Sequence, residues 1–141
     1  MTTTTAPLGA PQSINPSDWS AALGFDQAQL RPAPRRLLTL AGQGSVDAGG
    51  ALLHAGDATA QLALALRNVE DLLERGGMGL ADVLSLTVFT TDVDAVLASY
   101  HVLTDRLAEV APAAAPPATL VGVSRLALPG MVVEIVAQAG R

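Results

Sequence analysis

The chain has 141 residues, half of them hydrophobic, and a net charge of −5; one domain of that length can bury most of its apolar surface. Its aromatic residues are only Trp19, Tyr100, Phe25 and Phe89, and it has no run of basic residues. Nucleic acid is therefore not expected as a partner, since phosphate binding needs a basic footprint. The absence of cysteine excludes disulfides, thiol catalysis and cysteine metal sites.

The chain begins Met1-Thr2-Thr3-Thr4-Thr5-Ala6-Pro7, without the basic and apolar regions of a signal peptide. No apolar stretch reaches the roughly 20 residues that a membrane span needs. A cytoplasmic globular protein is the expectation, with no membrane partner. Residues 1–17, rich in Thr, Pro and Ser, read as a mobile lead-in, and residues 18–141 as a single domain. Gly24 to Leu30 reads as a short strand closed by Arg31-Pro32-Ala33-Pro34. Leu37 to Ala41 reads as a second strand, running into Gly42-Gln43-Gly44. Asp47-Ala48-Gly49-Gly50 is a turn signal, with Ala51 to His54 as the return strand.

The clearest helix follows. Asp57 is placed to accept from the free N–H groups of the first turn. Leu62, Leu66, Val69 and Leu73 recur at helical spacing, and Gly76-Gly77 supplies the stop. Val83 to Thr90 reads as a strand, with Leu84, Leu86 and Val88 alternating against Ser85, Thr87 and Phe89. A second helix is expected over 94–110, its stripe being Val96, Tyr100, Leu103 and Leu107, capped by Asp92 or Asp94. The Pro/Ala run Ala111 to Pro117 cannot be helical throughout. Strands over Thr119 to Leu126 and Met131 to Gln138 close the chain. This order predicts an α+β fold, a mixed β-sheet with two main helices packed on one face. With Val121, Val123, Val133 and Ile135 assigned to the other face, that face would be apolar and would need cover, most simply by association.

Several segments, in this order, resemble the Rid (reactive intermediate deaminase, YjgF-type) family. They are Gly24-Phe25-Asp26-Gln27-Ala28, Ala41-Gly42-Gln43, the helix from Asp57 to Gly76, and Val88-Phe89-Thr90-Thr91-Asp92. Val121-Gly122-Val123-Ser124-Arg125-Leu126 and Val133-Glu134-Ile135-Val136-Ala137 complete the set. The resemblance implies a chorismate-mutase-like homotrimer with small-molecule clefts between subunits. It also implies, for deaminating members, hydrolysis of imines and enamines such as 2-aminoacrylate. Some members carry an "endoribonuclease" label, which this acidic composition does not support.

Such chemistry needs a guanidinium to grip the substrate carboxylate and a hydroxyl or carboxylate to position water and move protons. The family's arginine falls in a Pro-Ala-Arg-Ser pattern, which here reads Pro116-Pro117-Ala118-Thr119, so Ala118 takes its place. The usual tyrosine is Phe25, the usual serine before Gly-Gln is Ala41, and the usual second glutamate of the last strand is Val136. All four departures run from hydrogen-bonding to apolar. A charged hydrogen bond is worth roughly 1.5–3 kcal/mol, so losing the clamp alone should weaken an α-imino acid by about 10- to 100-fold. No arginine lies between Arg106 and Arg125 to replace it.

The remaining polar candidates are Glu134, as a base in the same cleft or an edge carboxylate, and Thr119, as a hydrogen-bonding or proton-handling hydroxyl. Arg125 reads as a subunit-contact residue or a ligand contact, and Gln43 as part of a turn beside the cleft. His54 and His101 lack carboxylates at ligand spacing, so no metal is expected, and no cofactor. No Gly-x-Ser-x-Gly elbow or phosphate loop is present. Three functions stay open: an enzyme on an apolar imine, enamine or related intermediate of specialised metabolism (hydrolysis, cyclisation or tautomerisation), a non-catalytic metabolite-binding or regulatory module, and a deaminase with a relocated site.

Overall fold

The computed structural model describes residues 9–112 and 115–141; residues 1–8 of the expected lead-in and residues 113–114 of the Pro/Ala connector lie outside them. In chain order the elements are β1 (Gln12–Ile14), β2 (Ala28–Leu30), β3 (Leu37–Thr39), α1 (Ala58–Arg75), β4 (Val83–Thr90), α2 (Val93–Ser99), α3 (His101–Val110), β5 (Ala118–Gly122) and β6 (Val133–Gly140). The main sheet runs β3-β6-β4-β5. Its β4–β5 pair is parallel and the others antiparallel. The parallel pair needs a crossover, which α2 and α3 provide.

Helix α1 buries Leu62, Ala65, Leu66, Val69 and Leu73, and from the sheet Val83, Leu86, Val88, Val133, Ile135, Ala137 and Ala139 join the same core. Within β6 the burial alternates strictly from Val133 to Ala137, as the twofold period of a strand requires. In β4 an irregularity between Val83 and Ser85 shifts the alternation, so Val83 and Leu86 both face inward.

Three expectations need correction. Val133 and Ile135 do not belong to the uncovered sheet face: both are fully buried under the helices. That face instead carries Glu134, Val136 and Gln138 of β6, and is mixed rather than apolar. The segment before residue 17 is not wholly outside the fold, because β1 pairs with β2. Asp26 explains this, accepting from Ser13 Oγ at 2.5 Å and Asn15 Nδ2 at 2.8 Å. The second helix is two helices, with a tight turn at Tyr100 whose N–H reaches Leu97 O at 3.3 Å. Some strands are also shorter than expected. Ala51 to His54 contributes only the bridge Val46–Leu52, and β5 stops at Gly122.

Candidate functional site

Register decides which side chains share the uncovered face of the sheet. Thr119, Thr87 and Val136 form one row across β5, β4 and β6, and Val121, Phe89 and Glu134 form the next. Strands are about 4.8 Å apart and alternate residues about 6.7 Å apart along a strand. Thr119 and Glu134, at opposite corners, are therefore separated by about 12 Å between Cα atoms. The Glu134 carboxyl moreover lies over Gly42, on the side of β6 away from β4 and β5, so the two side chains do not meet within one chain.

Glu134 is half-buried and rests on Gly42. A Cβ added to Gly42 would overlap the Glu134 carboxyl and come within 2.8 Å of its Cγ. The Gly42 segment is fixed from both sides. Gln43 exchanges backbone hydrogen bonds with Ile135 at 2.8 and 2.9 Å, and Asn68 of α1 donates to the carbonyls of Gly44 and Val46 at 3.0 and 3.3 Å. The side chain of Gln43 turns back to Ala41 O at 3.0 Å, and Ala41 is exposed. These two shape the turn beneath Glu134. Among the described residues Glu134 forms no ion pair. The chain has no lysine, so no Schiff-base nucleophile exists.

The other candidates lie elsewhere. Ala118 pairs with the buried Leu86 and packs on the core, so its Cβ is on the helix side, opposite Glu134, Val136 and Thr119. Phe25 meets Trp19 edge-on, with ring centroids 5.5 Å apart. Its neighbour Asp26 donates from its backbone N–H to Ala115 O at 2.8 Å, which ties Phe25 to the approach to β5. Arg125 is exposed and borders a cleft of about 230 Å³ with Thr91, Ser124 and Met131. It forms no ion pair among the described residues. Burial holds the Tyr100 phenol above its ordinary range, so it stays protonated at neutral pH and is no base.

A larger groove, about 590 Å³, runs between α1 and α3 and is bordered by Arg67, Glu70, Asp71 and Arg106. Part of its charge is already paired: Arg106 holds Glu70 at 2.9–3.2 Å, which raises the guanidinium pKa further. Chemistry is better placed on the uncovered sheet face, where a carboxylate stands unpaired. Among the described residues no group of three or more His, Cys, Asp or Glu could hold a metal ion, and no helix is long and apolar enough to cross a membrane.

Sequence reading missed three contributors. Thr87 and Phe89 were visible as one side of the β4 alternation but had not been connected to Glu134. Gln61 had no visible signal, because it sits within the apolar stripe of α1. Fully buried, it donates to His54 O and Gly130 O at 3.2 and 2.9 Å and accepts from Val132 N at 2.9 Å. It thereby fixes the entry to β6, two residues from Glu134.

The profile of a family described as Endoribonuclease L-PSP matches residues 19–140. A solved structure of YyfB from Yersinia pestis, described as a conserved Rid protein of unknown function, is similar at 30% identity with a TM-score of 0.82, covering 94% of this chain and 100% of that one. The chain belongs to the Rid (YjgF) family. Two more Rid relatives share its fold. Rv2704 from Mycobacterium tuberculosis is 27% identical, with a TM-score of 0.62 and coverage of 93% and 99%. The YjgF product from Escherichia coli is 26% identical, with a TM-score of 0.65 and coverage of 92% and 98%. No curated protein matches the chain.

Proposed function

We propose that this Rid protein works as a homotrimer whose uncovered sheet faces are closed by neighbouring copies, and that a small apolar imine, enamine or related metabolite occupies the cleft so formed. The observation that supports this reading is Glu134: a half-buried carboxylate on a sheet face with Phe89, Val121 and Val136, with no ion pair and no guanidinium beside it among the described residues. In a hydrolysis, water adds to the imine carbon, the carbon–nitrogen bond breaks, and nitrogen leaves as ammonia. Glu134 would take a proton from the attacking water and return it to the departing nitrogen. Thr119 would hydrogen-bond the far end of the ligand. Cyclisation or tautomerisation would use the same proton shuttle without net addition of water. A small α-imino acid is a poor candidate, because nothing on this face grips its carboxylate. The negative net charge supports no role with nucleic acid.

A second reading has its own support. Since Thr119 and Glu134 are about 12 Å apart, one chain assembles no acid–base pair, which suits a binding module without turnover.

Ammonia release separates these readings. Imines would be generated in place by an amino-acid oxidase from leucine and alanine, and by an amine oxidase from carboxylate-free amines, beside an arginine-bearing Rid protein as control. Acceleration is expected only with carboxylate-free imines, falling by about 100-fold or more in Glu134→Gln, the range of a lost general acid–base, and less in Thr119→Ala. Binding without turnover identifies a binding module. Acceleration with leucine-derived imine to the level of the control identifies a deaminase with a relocated site and overturns the proposal.

A further inference from the structure

We infer that Gly42 and Glu134 form a cation seat, so that the ligand binds as a protonated nitrogen, an iminium or ammonium group, and carries no carboxylate. This rests on the uncovered sheet face being the ligand site and adds the charge of what it takes. Gly42 leaves room for the Glu134 carboxyl to lie against the backbone, since a Cβ there would overlap the carboxyl in this position. The backbone beneath the seat is held in place, because Gly42 adjoins the Gln43–Ile135 bridge and the Gly44 carbonyl that Asn68 holds, and Gln61 holds β6. A half-buried carboxylate lying over the Gly42 backbone, on the strand face it shares with Val136, is screened from water on one side and presents its negative charge to a cation on the other.

The charges around the seat fit one sign only. Among the described residues no ion pair reaches Glu134. No arginine or lysine stands on this sheet face among the described residues of β4, β5 and β6. An anionic ligand would meet repulsion from Glu134. A protonated imine would meet its counter-ion, and protonation also makes its carbon the better acceptor for water. The seat then selects the reactive form of the ligand, and Gly42 acts as a positioning residue for Glu134.

Stable probes of one skeleton test this: 2-phenylethylamine as the cation, 2-phenylethanol as its neutral counterpart and 3-phenylpropionate as the anion, each titrated into the full protein by calorimetry. The amine should bind at least about tenfold more tightly than the alcohol, as one charged hydrogen bond implies, and the propionate should not bind. In Glu134→Gln the amine and alcohol should become equal within about twofold, a residual typical of weak uncharged contacts. Gly42→Ala should lose the preference as well, although its carboxylate remains. Asp71→Asn, which removes an exposed charge from α1, should leave the preference intact and so control for the net negative charge. Should Gly42→Ala fail to fold, Glu134→Gln, nearly the same shape, still decides. Equal binding of amine and alcohol to the unaltered protein, or a preference that survives Glu134→Gln, overturns the seat while leaving an apolar ligand site standing. Failure of all three probes to bind removes the sheet-face site itself.

Discussion

Asp26 shows how much one side chain can organise. It is only 8% exposed and accepts from Ser13, Asn15 and Gln29, while Gln29 also reaches Ala115 O at 3.0 Å. Burial alone would raise its pKa, but the three hydrogen bonds outweigh it and hold the carboxyl below its ordinary 3.8. A carboxyl depressed on folding adds stability that is fully present above its unfolded pKa and is lost as pH falls through the folded value. Thermal melts of the protein and of Asp26→Asn should therefore differ near pH 6, with the variant less stable, and converge as the pH falls through the folded value. The donors that make Asp26 matter come from a Ser- and Pro-rich stretch 13 and 11 residues earlier, a composition that reads as solvent-exposed coil. That is why sequence alone left it outside the fold. Glu134 is the opposite case. Its place beside Val136 on one strand face follows from the twofold strand period, but its seat on Gly42 depends on two segments far apart in sequence, and no local pattern encodes that contact.

Elements with a long repeat were legible and short pairings were not. Helix α1 runs from Ala58 to Arg75 behind Asp57, whose side chain accepts from Ala60 N at 3.0 Å, as its periodicity and cap require. Strand β4 also matches its expected bounds. The Gln43–Ile135 and Val46–Leu52 bridges involve too few residues to show a period, so the edge that supports Glu134 could only be guessed as strand. The break at Tyr100 was equally silent, since Val96, Leu103 and Leu107 keep one stripe across it. Two variants probe how α1 supports the site. Asp57→Ala should lower stability by about 1 kcal/mol, the usual effect of a lost cap, and leave ligand preference unchanged. Gln61→Leu keeps the volume but strands Val132 N and two carbonyls. Each orphaned buried group costs about 1–3 kcal/mol, so denaturant unfolding should show a larger loss than for the cap variant. Because the entry to β6 loosens with it, amide exchange at Val132 and Val133 should accelerate more than exchange at the middle of α1. Equal losses in the two variants would mean that Gln61 acts only through helix packing.

For the whole molecule the decisive feature is a sheet with helices on one side only. Its other side presents Phe89, Val121 and Val136 among Thr87, Thr119, Glu134 and Gln138. Burying a valine or phenylalanine side chain contributes about 1.5–3 kcal/mol, so three copies meeting through these faces, as proposed, would gain from several such groups at once. The mixed polarity also fits association around a ligand cleft better than burial inside one chain, where Glu134 would need a partner. Native mass spectrometry should therefore find three times the 14.3 kDa chain mass. Val121→Asp lies on β5 next to Phe89 and places an unpaired charge in every copy of the interface, where burial is costly. It should yield monomers with an unchanged circular dichroism spectrum, since Val121 lies outside the core beneath the helices. Loss of the amine preference in that monomer would show that neighbouring copies complete the environment of Glu134. A preference retained by the monomer would place the whole cation seat within one chain. An unaltered protein that runs as a monomer at micromolar concentration would leave the sheet face in water and remove the cleft on which the proposed activity depends.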